Sequence, residues 1–251
     1  MTVDINLYVA TQQKIEIPLP SIYSPIIAGA EQYTGEVYQN YLLDNTGDNI
    51  SNLNKSYCEL TVLYWIWKNS TNKYVGLCHY RRYFFSSLFR RLLLEPISEQ
   101  HLQELEHGDV VVPNKRYFRK SCFDDFSDFH DIKDLISIRS ILSYYDSRYL
   151  PYCDIVFNRK WMYCYNMMIA DKDTFNSYCS WLFPILHLFD KDYKHQYNDK
   201  YNQRVDGFLS ERLFNIWILA NDCHIIEKPV YNIQENILLP TAKNAIKKIF
   251  Y

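Results

Sequence analysis

From Ile5 to Glu227 the chain alternates short runs of β-branched and aromatic residues with longer stretches whose apolar residues recur at i, i+3, i+4 and i+7. The first pattern suits a pleated strand and the second one face of a helix. The alternation confines the chain to the α/β class, with a largely parallel central sheet flanked by helices. INLYVAT (Ile5–Thr11), the apolar start of YVGLCHYRRYF (Tyr74–Phe84), the run Asp109–Val112, YNMMIA (Tyr165–Ala170) and His224–Glu227 read as strands. Helices are expected after Ser56, where Leu60, Leu63, Tyr64 and Trp67 keep the period, and over residues 98–107, 131–145, 174–189 and 206–220. Ser56 and Glu59 have capping-box spacing, and Asp173 and Asp206 stand where an N-cap is needed. No repeat or low-complexity linker divides the chain, which reads as one domain over residues 1–240 with a basic amphipathic tail at 241–251.

Composition removes several functions. Only 6 Gly occur among 251 residues, none forming GxG and none preceding Lys-Ser or Lys-Thr. The Rossmann fingerprint, the P-loop and the kinase glycine loop are therefore absent in their usual forms. A net charge of -2 offers no electrostatic reason to bind nucleic acid. Seven Cys without a CxxC, and no cationic start followed by an apolar run, point to reduced thiols in a cytosolic chain. No apolar stretch approaches the roughly 18 to 20 residues of a membrane span. Of the 23 Tyr, 14 Phe and 5 Trp, Tyr64, Trp65, Trp67, Trp181 and Trp217 fall in helices and read mostly as core, with Tyr80 and Tyr83 as candidates for ligand contact.

His79-Tyr80-Arg81-Arg82-Tyr83 closes an apolar strand. Ligands of open α/β sheets bind beyond the carboxyl ends of strands, and paired guanidiniums present planar forks suited to a diphosphate. The same arginines would equally serve surface ion pairs. The loop Asp44-Asn45-Thr46-Gly47-Asp48-Asn49 carries groups that recognise sugar hydroxyls, and also those that make tight turns. Glu211 stands opposite the apolar stripe of its helix, either as a general base or as a solvated side chain. Asp124, Asp125, Asp128, His130, Asp131 and Asp134, and the pair Asp171 and Asp173, are the candidate cation ligands. Short acidic patterns also arise without a metal.

Four segments together resemble a bacterial glycosyltransferase family long catalogued as a domain of unknown function and encoded in capsule, exopolysaccharide and lipopolysaccharide O-antigen clusters. They are DNTGDNISNLNKSYCELTVLYWIWKN (Asp44–Asn69), YVGLCHYRRYF (Tyr74–Phe84), YNMMIADKDTFNSYCSWLFPIL (Tyr165–Leu186) and RVDGFLSERLFNIW (Arg204–Trp217). The resemblance implies a GT-A-like domain that moves a hexose, with galactose from UDP the leading case, onto a lipid-linked oligosaccharide. A non-catalytic carbohydrate or nucleotide-sugar binder of the same fold is the alternative.

By the same resemblance, Ala10, Thr11, Asp44, Asn45, Asp48, Asn49, His79, Tyr80, Arg81 and Arg82 would bind the donor. Asn166, Asp206, Gly207 and Arg212 would bind or position the acceptor, and Glu211 would be the catalytic carboxylate. Where many GT-A enzymes carry a DxD, this chain has His79-Tyr80-Arg81-Arg82. That substitution implies a reaction needing no cofactor, with a Mn or Mg ion as the alternative. The basic tail would suit peripheral contact with the inner face of the cell membrane.

Overall fold

The computed structural model describes residues 4–195, 197 and 199–235. The tail at 241–251 lies outside them. INLYVAT forms β1 (Ile5–Thr11), buried along nearly its whole length as its apolar run requires. β2 (Tyr23–Ile27) and β3 (Leu42–Leu43) add parallel strands on one side. α1 (Asn54–Tyr57) and α2 (Leu60–Asn69) lead to β4 (Tyr74–His79), which pairs with β1 in parallel. The chain then turns at Tyr80 and Arg81. β5 (Arg82–Phe84) runs back antiparallel with Arg82 opposite His79. Tyr74–Phe84 is thus a strand and a return rather than one strand.

α3 (Leu88–Leu92) and β6 (Asp109–Pro113) follow, and the helix expected over 98–107 is only a single 3-10 turn, Glu99–His101. β7 (Arg116–Tyr117) and α4 (Cys122–Ser127) occupy the charged region after Pro113. Next come α5 (Ile132–Tyr145), α6 (Leu150–Asn158), β8 (Trp161–Met162), β9 (Met168–Asp171) and α7 (Lys172–Asp192). α8 (Val205–Ala220), β10 (His224–Lys228) and β11 (Val230–Asn232) complete the described elements.

The sheet runs β10-β6-β9-β4-β1-β2-β3, with β5 and β11 attached beside β4. Four of the six pairings along that path are parallel, as the alternation of elements predicts. The two exceptions flank β9, which is antiparallel to both β4 and β6. Successive side chains enter opposite layers, as a period of two demands. Tyr8, Ala10, Val75 and Leu77 pack under α2, α5, α6, α7 and α8. Leu7, Val9, Tyr74 and Cys78 pack with Tyr83, Phe84, Phe85 and Ile97 on the other face. Gly76 lies where β4 is squeezed between neighbours: a Cβ there would come within 2.8 Å of Leu7, Ile169 and the Met168 carbonyl. All seven cysteines are free and five are buried, the arrangement expected of reduced core thiols. Among the described residues no helix is long and apolar enough to cross a membrane.

Several local expectations give way to tertiary partners. Ser56 and Glu59 do not form a capping box: Ser56 donates to Asp206 and Glu59 accepts from Asn166, while α2 starts without a side-chain cap. The N-cap of α7 is Asp171, which accepts from the backbone N–H groups of Asp173 and Thr174, so Asp173 lies in the first turn. Asp206 likewise makes no cap on α8. α8 is buried over most of its circumference rather than amphipathic. Tyr83 is fully buried and donates to the Tyr80 carbonyl, which makes it core and not a ligand contact.

Candidate active site

The parallel arrangement sends the carboxyl ends of β1 and β4 to one edge of the sheet, where a cleft of about 740 Å³ opens against α1, α8 and the β7–α4 region. Ala10 and Thr11 at the tip of β1, and His79, Tyr80, Arg81 and Arg82 at the turn after β4, line it. Gly207, Glu211 and Arg212 enter from α8. The nominated residues of the first strand, the HYRR turn and the GFLSERL helix, separated by up to two hundred positions, therefore share one cavity.

Three guanidiniums in this cleft, those of Arg81, Arg82 and Arg116, make no ion pair among the described residues. Each instead rests over a ring: Arg81 on Tyr80 at 5.5 Å, Arg82 on Tyr165 at 4.6 Å and Arg116 on Phe118 at 5.5 Å. Cationic side chains held by ring faces keep their N–H groups available for an anion.

Tyr165 joins the parts. Its N–H donates to Glu211 Oε1 at 2.6 Å and its carbonyl accepts from His79 Nε2 at 2.6 Å. Tyr165 and Asn166 both have positive φ, 80° and 52°, a left-handed pair that turns the backbone so that both groups face the cleft residues. Asn166 fixes the turn from behind. It donates to Glu59 Oε1 at 2.7 Å and to the Gly207 carbonyl at 3.0 Å, and it accepts from Ser210. Asn166 is therefore a positioning group, buried under the cleft floor.

Burial holds the Glu211 carboxyl above its ordinary value, although the Arg212 guanidinium and the Tyr165 N–H oppose the shift. Arg212 Nη1 lies 3.5 Å from Glu211 Oε2. Burial lowers the His79 pKa against the pull of Glu59. A carbonyl can only accept, so neutral His79 carries its proton on Nε2 and leaves Nδ1 as an acceptor.

The remaining nominees lie elsewhere. Asp44 is fully buried and accepts from Gly29 N, Ala30 N, Ser51 Oγ and Thr61 Oγ1, four bonds that tie the ends of β2 and β3 to α2. Gly29 has φ +69° there, and a Cβ would meet Asn54 at 2.6 Å. Asp48 accepts from Tyr64, and Asn49 folds back on the Gly47 carbonyl. Neither these two nor Asn45 lines the cleft. Asp206 is enclosed by Ser56 and Lys194, which ties α8 to α1 and to the end of α7, and burial raises its pKa.

The acidic candidates separate in the same way. Asp134 accepts from Tyr197, Asp131 caps α5 and Asp128 pairs with Lys120. Asp125 alone of that run enters the cleft with His130. Asp171 faces Tyr74 at the start of β4, five residues before His79, so about 16 Å of strand separates it from the cleft. His107, Asp171 and Asp173 offer ligand atoms within 4.8 Å of one another. Asp171 already accepts from Gly108 N, Asp173 N, Thr174 N and Thr174 Oγ1, which leaves its oxygens little to give a cation. That trio does not fit a metal serving the cleft.

Glu59, Arg116, Arg204, Tyr165 and the aromatic side chains near His130, none of them expected there from the sequence, complete the cavity. Arg116 carries no motif, and Arg204 stands at the start of the Arg204–Trp217 segment without a role assigned to it. The Tyr-Asn pair at 165–166 was the available signal, because Asn tolerates left-handed backbone.

A family described as a domain of unknown function, DUF4422, matches residues 6–222. The chain belongs to that family. The matched span of this DUF4422 chain holds every cleft residue named above. No curated protein matches it. Solved structures similar to it include a WbbM bifunctional glycosyltransferase in its apo form, at a TM-score of 0.83 and 24% identity, covering 94% of this chain and 48% of that one. The DUF4422 chain thus spans about half the length of that protein and shares its fold.

Proposed function

We propose that this DUF4422 chain is a glycosyltransferase that moves a hexose from a nucleoside diphosphate sugar to a glycan acceptor. The observation that carries the reading is a set of guanidiniums without an ion pair among the described residues, Arg81 and Arg82 at the carboxyl end of a parallel strand and Arg116 beside them, in a cleft that also holds the partly buried carboxylate of Glu211. The fold shared with the WbbM bifunctional glycosyltransferase supports it.

In the reaction the bond between the anomeric carbon and the diphosphate oxygen breaks. The electron pair leaves with the diphosphate, and an acceptor hydroxyl oxygen bonds to the anomeric carbon. Arg81, Arg82 and Arg116 stabilise the charge that builds on the departing diphosphate, where fixed cations count most. The acceptor proton passes to Glu211 in an inverting reaction, for which a carboxyl with a raised pKa and one oxygen anchored by Tyr165 N–H is suited. In a retaining reaction Glu211 holds the acceptor hydroxyl instead. His79 links the diphosphate turn to Tyr165, so its role is to position both. Since guanidiniums occupy the place of a DxD and the His107 trio lies at the far edge, we assign the leaving group to arginines rather than to Mn or Mg.

We further propose UDP-galactose as the first donor to test, a lipid-linked oligosaccharide of surface polysaccharide assembly as acceptor, and a cytoplasmic site of action beside the membrane. Calorimetric titration with a panel of UDP-, GDP- and dTDP-hexoses, with and without Mn²⁺, tests the core of the reading. One donor should bind, with an affinity indifferent to Mn²⁺. A folded protein that binds none of them refutes the transferase.

A further inference from the structure

Part of the cleft lining is aromatic. His130 stacks on Tyr201 with ring centres 5.1 Å apart and planes within 8°. Phe208 lies 4.2 Å from His130 and 5.1 Å from Tyr201. Phe129 and Tyr201 are respectively 56% and 48% exposed, although both line the cleft. Large apolar rings left open to solvent inside a concave polar site mark a ligand face.

His130 does not take the metal role that its acidic neighbours suggest. Asn202 Oδ1 accepts from its Nδ1 at 2.9 Å, and the imidazole is packed among Phe126, Tyr201 and Phe208. Phe208 also precedes Glu211 by three residues on α8, so the two side chains lie on one face a single turn apart, roughly 5 to 6 Å between Cβ atoms. Arg212 donates to the Phe208 carbonyl, and Asp125 lies 3.9 Å from the Arg212 guanidinium. The platform is thereby bordered by hydrogen-bonding groups on the side of the carboxylate.

A pyranose ring has the same division, an apolar C–H face and a rim of hydroxyls. We infer that the exposed rings of Phe129 and Tyr201, the latter backed by His130 and Phe208, form a subsite that stacks a pyranose of the acceptor glycan and presents one of its hydroxyls to Glu211. The inference rests on the transferase reading for its orientation. The platform's affinity for a sugar ring is separable from that reading and can be measured alone.

The test is saturation-transfer NMR on the full chain with methyl glycosides of glucose, galactose, N-acetylglucosamine, mannose and rhamnose, each with UDP present. Wild type, Tyr201→Ala and Tyr201→Ala/Phe129→Ala are compared. Both side chains are exposed, so the variants keep the fold, and the UDP signal verifies this. At least one glycoside should receive saturation on its C–H face. Its affinity should fall at least tenfold in the double variant while UDP affinity changes less than twofold. Equal glycoside binding in wild type and double variant overturns the subsite, as does absence of binding by every glycoside to wild type that still binds UDP. Glycoside binding lost with Tyr201 in a chain that binds none of UDP, GDP and dTDP supports the subsite and removes the transferase.

Discussion

Two polar clusters lie at opposite edges of the same sheet. At the edge where β4 begins, Asp171 is saturated by four hydrogen bonds from Gly108, Asp173 and Thr174, with His107 alongside. At the edge where β4 ends, Arg81, Arg82 and Arg116 rest on rings and meet no carboxylate among the described residues. The first cluster uses its charge to start a helix. The second leaves its guanidinium N–H groups without an ion-pair partner among the described residues, and the proposed diphosphate site rests on that difference. Residue type alone would rank them in the reverse order, since Asp-x-Asp is the better-known sugar-transferase motif.

The largest effects should fall on the cleft. Arg81→Ala/Arg82→Ala should lower kcat/KM for the nucleotide sugar by about 10³, the range seen when preorganised charge stabilisation is removed. Steady-state kinetics would check this, and a loss below tenfold would move the diphosphate away from the turn. Glu211→Gln should reduce kcat by about 10² or more while donor affinity holds, since a base is lost and a binding group is not. A chain that binds sugars without turning them over would show no rate to lose.

The raised pKa of Glu211 adds a pH signature. As a base it must be ionised, so the rate should fall as pH drops through a value above the ordinary glutamate pKa of about 4.3. Its effect on stability has the opposite sense. The folded state holds this proton more tightly than the unfolded state, so stability is lost as pH rises from the ordinary glutamate value through the raised one. Glu211→Gln should therefore melt no lower than wild type at pH 7, and thermal melts at pH 4 and pH 7 should bring the two together at the lower pH. A variant clearly less stable at pH 7 would assign the carboxylate a structural purpose.

Smaller effects belong to the satisfied acids. Asp44→Ala should cost about 3 kcal/mol of unfolding free energy, because four donors lose a buried acceptor. Urea denaturation would measure it. Asp171→Ala should cost about 2 kcal/mol, since Gly108, Asp173 and Thr174 lose a buried acceptor and α7 its cap, with donor affinity unchanged. Asp173→Ala should change neither stability nor activity beyond error, and a large loss of activity there would reverse the comparison of the two edges.

Much of this plan was legible in the linear chain. β1 matches its expected bounds, and the strand into His79 and the helix bearing Glu211 were visible from periodicity alone. What escaped is what tertiary partners decide. Ser56 and Glu59 keep capping-box spacing yet serve Asp206 and Asn166, which approach from far along the chain. β2, β3 and α3 are too short to show a period, and α6 carries Pro151 in its first turn, where a proline reads as a break. Arg116 reaches the cleft only because β7 pairs with β8, a contact no local pattern announces. Asp44 and Arg82 are each polar residues in a suggestive motif, and burial separates the one that braces the fold from the one that lines the cleft.

The most direct test is a crystal structure of the chain with UDP and Mn²⁺, with anomalous data collected for manganese. The account predicts diphosphate oxygens within about 3 Å of the Arg81 and Arg82 guanidiniums, with no manganese bridging them to protein carboxylates. A diphosphate held through manganese on Glu59, Asp125 or Glu211, or bound away from the HYRR turn, would contradict it.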